Sequence, residues 1–207
     1  MDDRSETGRQ IKRIAGGDQA ALAEVFQQYR SLLRRMVQLR LDRRLQGRVD
    51  PSDVLQEAYL DISRRASEYA QRPEMPFFLW LRMMTGQKLL ELHRRHLGTQ
   101  SRDADREISL CHSYPEVNSH LLASQLLGHF TSAGQAAVRA EQQVQLEEIL
   151  NNMEPIDREI LTLRHFEELS NGEVAQVLGI GKSAASNRYI RALMRLKEHL
   201  SGQSGIF

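Results

Sequence analysis

The side chains with chemistry to offer fall into three groups. The first is basic: Arg94-Arg95 follow Lys88, and His93 and His96 stand beside them, with the aromatic side chains of Phe77, Phe78 and Trp80 a few turns upstream. Aromatic rings near cations suit single-stranded nucleic acid, where bases stack and phosphates are neutralised. The second group is Lys182, Ser183, Ser186, Asn187, Arg188 and Arg191. Lysine and arginine can contact phosphate or guanine, asparagine can pair with adenine, and serine can do either. The third is acidic, Asp50-Pro51-Ser52-Asp53 with Gln56 and Glu57 following.

Covalent chemistry finds no comparable set. Gly181-Lys182-Ser183 has the ending of a phosphate-binding loop, but Gln176 stands where that motif needs its first glycine, and no strand precedes it. His93 and His96 have the spacing to share a helical face, without a cysteine or acidic partner to complete a metal site. No carboxylates cluster as metal ligands or as an acid and base pair. The sequence therefore predicts no catalytic residue, no metal and no cofactor.

The elements that must carry these groups are helices. The chain has 207 residues, 41% of them hydrophobic, which suits one medium domain or two small ones. Its 28 basic and 27 acidic residues nearly balance, so nucleic-acid binding must come from local clustering. No apolar run approaches the roughly 20 residues that span a bilayer. The N-terminus is polar, and Cys111 is the single cysteine. These features predict a soluble, cytoplasmic protein with no membrane insertion and no internal disulfide.

Strand alternation is nearly absent, and the fold class predicted is all-α. Leu22, Phe26, Tyr29, Leu33 and Met36 define a helix from near Asp18 that fades by Leu45-Gln46-Gly47. Asp50 and Pro51 announce a second, from Ser52 to about Ala66, with a stripe of Leu55, Tyr59 and Ile62. A loop from Ser67 to Met75 follows, and Pro76 opens a third helix, Phe77 to about His96. Glycines and serines interrupt residues 98–140, read as a linker with a short helix around Leu121–Phe130. Val144, Leu146, Ile149, Leu150 and Met153 mark the next helix, and Pro155 starts another.

Gly172–Leu178 and Lys182–Leu200 complete a helix-turn-helix. Ala175 is small where two helices cross, Gly179 permits positive φ in the turn, and Ile180 is a buried plug. Val174, Val177 and Leu178 should face inward from the first helix, and Ile190, Leu193 and Leu196 from the second. The N-terminal end of the second helix is the end that enters a major groove.

Taken together, these motifs resemble the extracytoplasmic-function (ECF) sigma factors across almost the whole length. Asp50-Pro-Ser-Asp-Val-Leu-Gln-Glu-Ala-Tyr-Leu-Asp is similar to the family's acidic region 2 helix, which implies polymerase binding by Asp53, Gln56 and Glu57. Trp80-Leu81 and the basic tail resemble the promoter-melting helix, with Gln87 and Glu91 where asparagine and aspartate are usual. The resemblance implies minus-ten contacts from Trp80, Gln87, Lys88, Arg94 and Arg95, and base capture by the loop Ser67–Met75. Glu173–Ile180 and Ser183–Ala192 resemble region 4, with Ala184-Ala185 in place of threonine-valine. Minus-thirty-five contacts are then implied for Lys182, Ser183, Ser186, Asn187, Arg188 and Arg191.

The implied domains are 1–97, a region 2-like unit; 98–140, a linker; and 141–207, a region 4-like helix-turn-helix. The implied partners are core RNA polymerase and promoter DNA, with an anti-sigma factor as a further candidate. A conventional helix-turn-helix regulator with an N-terminal sensor or dimerisation domain is the alternative. It accounts for the C-terminal half but not for an acidic helix followed by an aromatic and basic one.

Overall fold

The computed structural model describes residues 3–97, 115–128 and 136–201. All regular elements among them are helical, and Cys111 lies outside them. The chain forms two compact units, residues 1–37 with 41–115 and residues 38–40 with 116–207. The boundary at 115/116 falls inside the stretch read as linker.

In the first unit, α1 (Asp3–Ala15) and α2 (Gln19–Arg40) meet at a glycine turn. Gly17 takes φ 87°, and Asp18 caps α2 by accepting from the Ala21 N–H at 3.0 Å. The sequence reading does not anticipate α1. Its apolar content is small, yet Ile14 is buried and its carbonyl accepts from the Ser67 hydroxyl at 3.3 Å. Leu22, Phe26, Leu33 and Met36 of α2 are buried as their spacing predicts, Tyr29 is only partly buried, and Val25 joins the buried face. After Arg40 the chain leaves the α-helix through a 3-10 turn, Arg43–Leu45.

Helix α3 (Pro51–Gln71) starts where Asp50 and Pro51 place it, with the Asp50 carboxylate accepting from the Ser52 N–H at 2.6 Å. It ends five residues later than Ala66, which corrects the loop Ser67–Met75. Only 72–76 are non-helical before α4 (Phe77–Leu97). The cause is Tyr69, which continues the buried stripe of Ile62 and Ala66. Its ring stacks on Trp80 at 4.5 Å between centroids, and its hydroxyl donates to the Met75 carbonyl. Helix α4 is buried nearly all round at its start, from Phe77 to Arg82. Aromatic pairs tie α2 to both neighbours, Phe26 to Tyr59 and Tyr29 to Phe78.

The second unit holds α5 (Ser119–Gly128), α6 (Ala136–Asn152), α7 (Pro155–His165), α8 (Asn171–Leu178) and α9 (Lys182–Ser201). Its core gathers Leu122 and Leu127 of α5, Leu146 and Leu150 of α6, Leu161 of α7 and Ala192 of α9. Helix α5 thus belongs to a folded core rather than to a spacer. A capping box opens α8. Ser170 Oγ accepts from the Glu173 N–H at 3.3 Å, and Glu173 accepts from the Ser170 N–H at 2.8 Å. Gly179 takes φ 63°, and the Ile180 N–H reaches back to the Ala175 carbonyl at 3.0 Å. Two details of the inward faces change. Ile190 and Val144 are more than half exposed. The seam of α9 runs through the small, fully buried Ala185 and Ala192, with Tyr189, Leu193 and Leu196 partly buried.

Candidate nucleic-acid interface

Helix α3 sends its apolar residues inward and leaves a polar face outside. Asp53 and Gln56 are exposed and Glu57 is partly exposed, while Val54, Leu55 and Ala58 between them are buried. The spacing 53, 56, 57 and 60 is one helical face. Leu60 lies on it and is 54% exposed. The sequence reading missed this leucine, although the same periodicity that puts Glu57 outside puts Leu60 there too.

The neighbouring face of α4 carries Gln87, Lys88, Glu91, Arg94 and Arg95. The structure brings these residues onto one surface with α3 through a chain of ion pairs. Lys88 Nζ lies 2.6 Å from Asp61 and 2.8 Å from Glu91, and Arg95 lies 2.8 Å from Glu91 and 3.6 Å from Glu57. Hydrogen bonds to Asp61 and then Glu91 raise the Lys88 ammonium above its ordinary range. Hydrogen bonds from Lys88 and then Arg95 hold the Glu91 carboxyl below its own. Gln87 is exposed, and Arg94 is exposed with no ion pair among the described residues. Between the helices lies a shallow cleft of about 300 Å³, lined by Asp61, Arg64, Arg65, Met84, Gln87, Lys88 and Glu91. Arg64 and Arg65, adjacent in the sequence, bring two further cations to this cleft.

Trp80 requires a correction. It is 5% exposed, stacked between Tyr69 and Phe77, so its indole is a core group in this structure and not an open stacking surface. The physical reason is the crowded first turn of α4, where five consecutive large apolar side chains have to be covered. His93 also has a structural place. Its Nε2 accepts from the Asp42 N–H at 3.3 Å, and burial lowers its pKa from 6.5.

In the second unit, α9 presents Lys182, Ser183, Asn187 and Arg191 as exposed side chains, with Ser186 and Arg188 half-buried. The tight turn at Gly179 fixes where this face begins. Asn171 Nδ2 donates to the Lys182 carbonyl at 2.9 Å, fastening the start of α9 to that of α8. Arg188 differs from the other predicted readers. It lies 3.1 Å from Glu154 and 3.3 Å from Asp157, at the start of α7. Arg195, one turn further than Arg191, lies 2.8 Å from Asp157. Among the described residues, no group of three or more histidine, cysteine or acidic side chains is placed to hold a metal ion. No helix among them is long and apolar enough to cross a membrane.

Comparison with known proteins gives these surfaces a context. The ECF sigma factor family model matches residues 4–202. The ECF RNA polymerase sigma factor SigD of Mycobacterium bovis, and that of Mycobacterium tuberculosis, is 28% identical over 192 residues, 92% of this chain and 82% of the relative. The structure of CnrH in complex with the cytosolic domain of CnrY aligns with a TM-score of 0.56 at 19% identity, covering 96% of this chain and 99% of that one. It shows the same fold. Because the family match runs from the first helix to the last through both units, the chain belongs to the ECF sigma factor family.

Proposed function

We propose that each unit of this sigma factor engages one part of the initiation machinery. Promoter selection by core RNA polymerase is the activity of the family. The first unit docks on polymerase through Asp53, Gln56 and Glu57, with Leu60 as an apolar contact among them. The same unit holds the opened minus-ten strand along the cation-bearing face of α4, from Gln87 and Lys88 to Arg94 and Arg95. The short connection 72–76 is the segment left to select an unstacked base. The second unit reads the minus-thirty-five duplex with α9. The observation that carries this reading is the exposed Lys182, Ser183, Asn187 and Arg191 face, which begins three residues after the helix-turn-helix glycine.

The chemistry is binding, not catalysis, and the site of action is the cytoplasm, where polymerase and DNA are found. CnrH was solved with a cytosolic protein domain bound, and an anti-sigma factor is the corresponding partner for this chain. Two modest DNA contacts joined through one polymerase gain effective concentration, so neither has to be strong alone. Run-off transcription on a genomic fragment library tests the reading. Core polymerase with this chain should give discrete transcripts that core alone does not. The same transcripts without the chain, or none with it, would contradict the assignment.

A further inference from the structure

Arg188 and Arg195 meet two carboxylates, and the four charges are not equivalent. The Asp157 side chain is 3% exposed and that of Glu154 is 54% exposed. A buried carboxylate left without a cation is costly, whereas an exposed pair separates at little cost. Asp157 therefore keeps a partner. The closer one is Arg195 at 2.8 Å, against 3.3 Å for Arg188. Glu154 is nearer to Arg188, 3.1 Å, than to Arg195, 3.7 Å. Its carboxyl is held below the ordinary range, first by the hydrogen bond from Arg188. Glu154 also makes no side-chain cap hydrogen bond to α7, so none has to be kept when its carboxylate changes partner.

We propose that Glu154 occupies Arg188 in place of a DNA phosphate. In the free chain it holds Arg188 at the edge of the α9 face. On duplex binding a backbone phosphate takes Arg188 from it, while the pair of Asp157 and Arg195 stays closed. This rests on the reading of α9 as the duplex-binding helix. The exchange has a thermodynamic signature. A phosphate neutralised by a free arginine releases close to one condensed counterion. Here the abandoned Glu154 takes up a cation as the phosphate loses one, so Arg188 adds little to the salt dependence. Glu154 then acts against weak, unselective binding, because only a well-seated phosphate displaces it.

The test uses the full chain reconstituted with core RNA polymerase. The probes are labelled promoter duplexes selected by that holoenzyme, and the same duplexes with the upstream half scrambled. Across a salt series, Glu154→Gln should bind both probes tighter at low salt, by roughly three- to tenfold, and steepen the slope of log affinity against log salt by about 0.9. Its preference for the selected probe should fall. Adding Arg188→Ala should abolish the gain. A Glu154→Gln gain that survives Arg188→Ala would overturn the exchange, since it would come from net charge alone. An unchanged affinity and slope in Glu154→Gln, with Lys182→Ala weakened, would overturn it as well. If a Lys182→Ala, Asn187→Ala variant binds as tightly as wild type, the reading of α9 itself fails.

Discussion

Among single residues, the candidate contacts divide into those that stand free and those that are engaged. Asp53 is exposed on the polar face of α3, whereas Glu57 shares Arg95 with Glu91. Asp53→Lys should therefore weaken core polymerase binding by about tenfold, roughly 1.4 kcal/mol, with helicity unchanged. A core-binding titration measures it, and wild-type affinity would remove Asp53 from the docking face. His93 supplies a pH dependence. Burial lowers its folded pKa below 6.5, and its Nε2 accepts a backbone hydrogen bond that only the unprotonated nitrogen can take. On acidification the unfolded chain takes up the proton first. This contribution to stability is thus complete above about 6.5 and shrinks as pH falls towards the lowered folded value, where it levels off. Denaturation between neutral and mildly acid pH should show this loss, and His93→Gln should flatten it. Residue types and spacing made these candidates legible. Pairing partners from distant positions, such as Glu154 for Arg188, were not legible, because nothing local links positions 34 residues apart.

Among elements, caps and periodicity predicted most of the helices, and tertiary burial decided the rest. Asp50-Pro51 marks the start of α3, because orphan N–H groups have few alternative acceptors, whereas the Ser170 and Glu173 capping box of α8 emerges only in the structure. The end of α3 was illegible, because Tyr69 extends the helix through tertiary contacts, among them its stack on a tryptophan eleven positions away. Helix α1 was missed for a similar reason, since its few apolar residues gain meaning only against α3. Trp80→Ala should accordingly cost about 3–5 kcal/mol of stability by emptying the aromatic cluster. Ser170→Ala should cost about 1 kcal/mol by removing the capping box. Chemical denaturation measures both. A Trp80→Ala variant as stable as wild type would return the indole to the surface and to the DNA-contact set.

For the whole molecule, the proposed function requires the cations of α4 to hold an opened strand while α9 holds a duplex. Within the chain Lys88 and Arg95 already have acidic partners, whereas Arg94 has no ion pair among the described residues. Phosphate neutralisation is sequence-independent and salt-sensitive. The most direct measurement is permanganate reactivity of unpaired thymines near the start site, on promoters selected by the holoenzyme. Core polymerase with the wild-type chain should expose these thymines, and core alone should not. The double variant Arg94→Ala, Arg95→Ala should lower reactivity on every promoter, most at high salt. Equal reactivity of the double variant and wild type across the salt series would contradict the account.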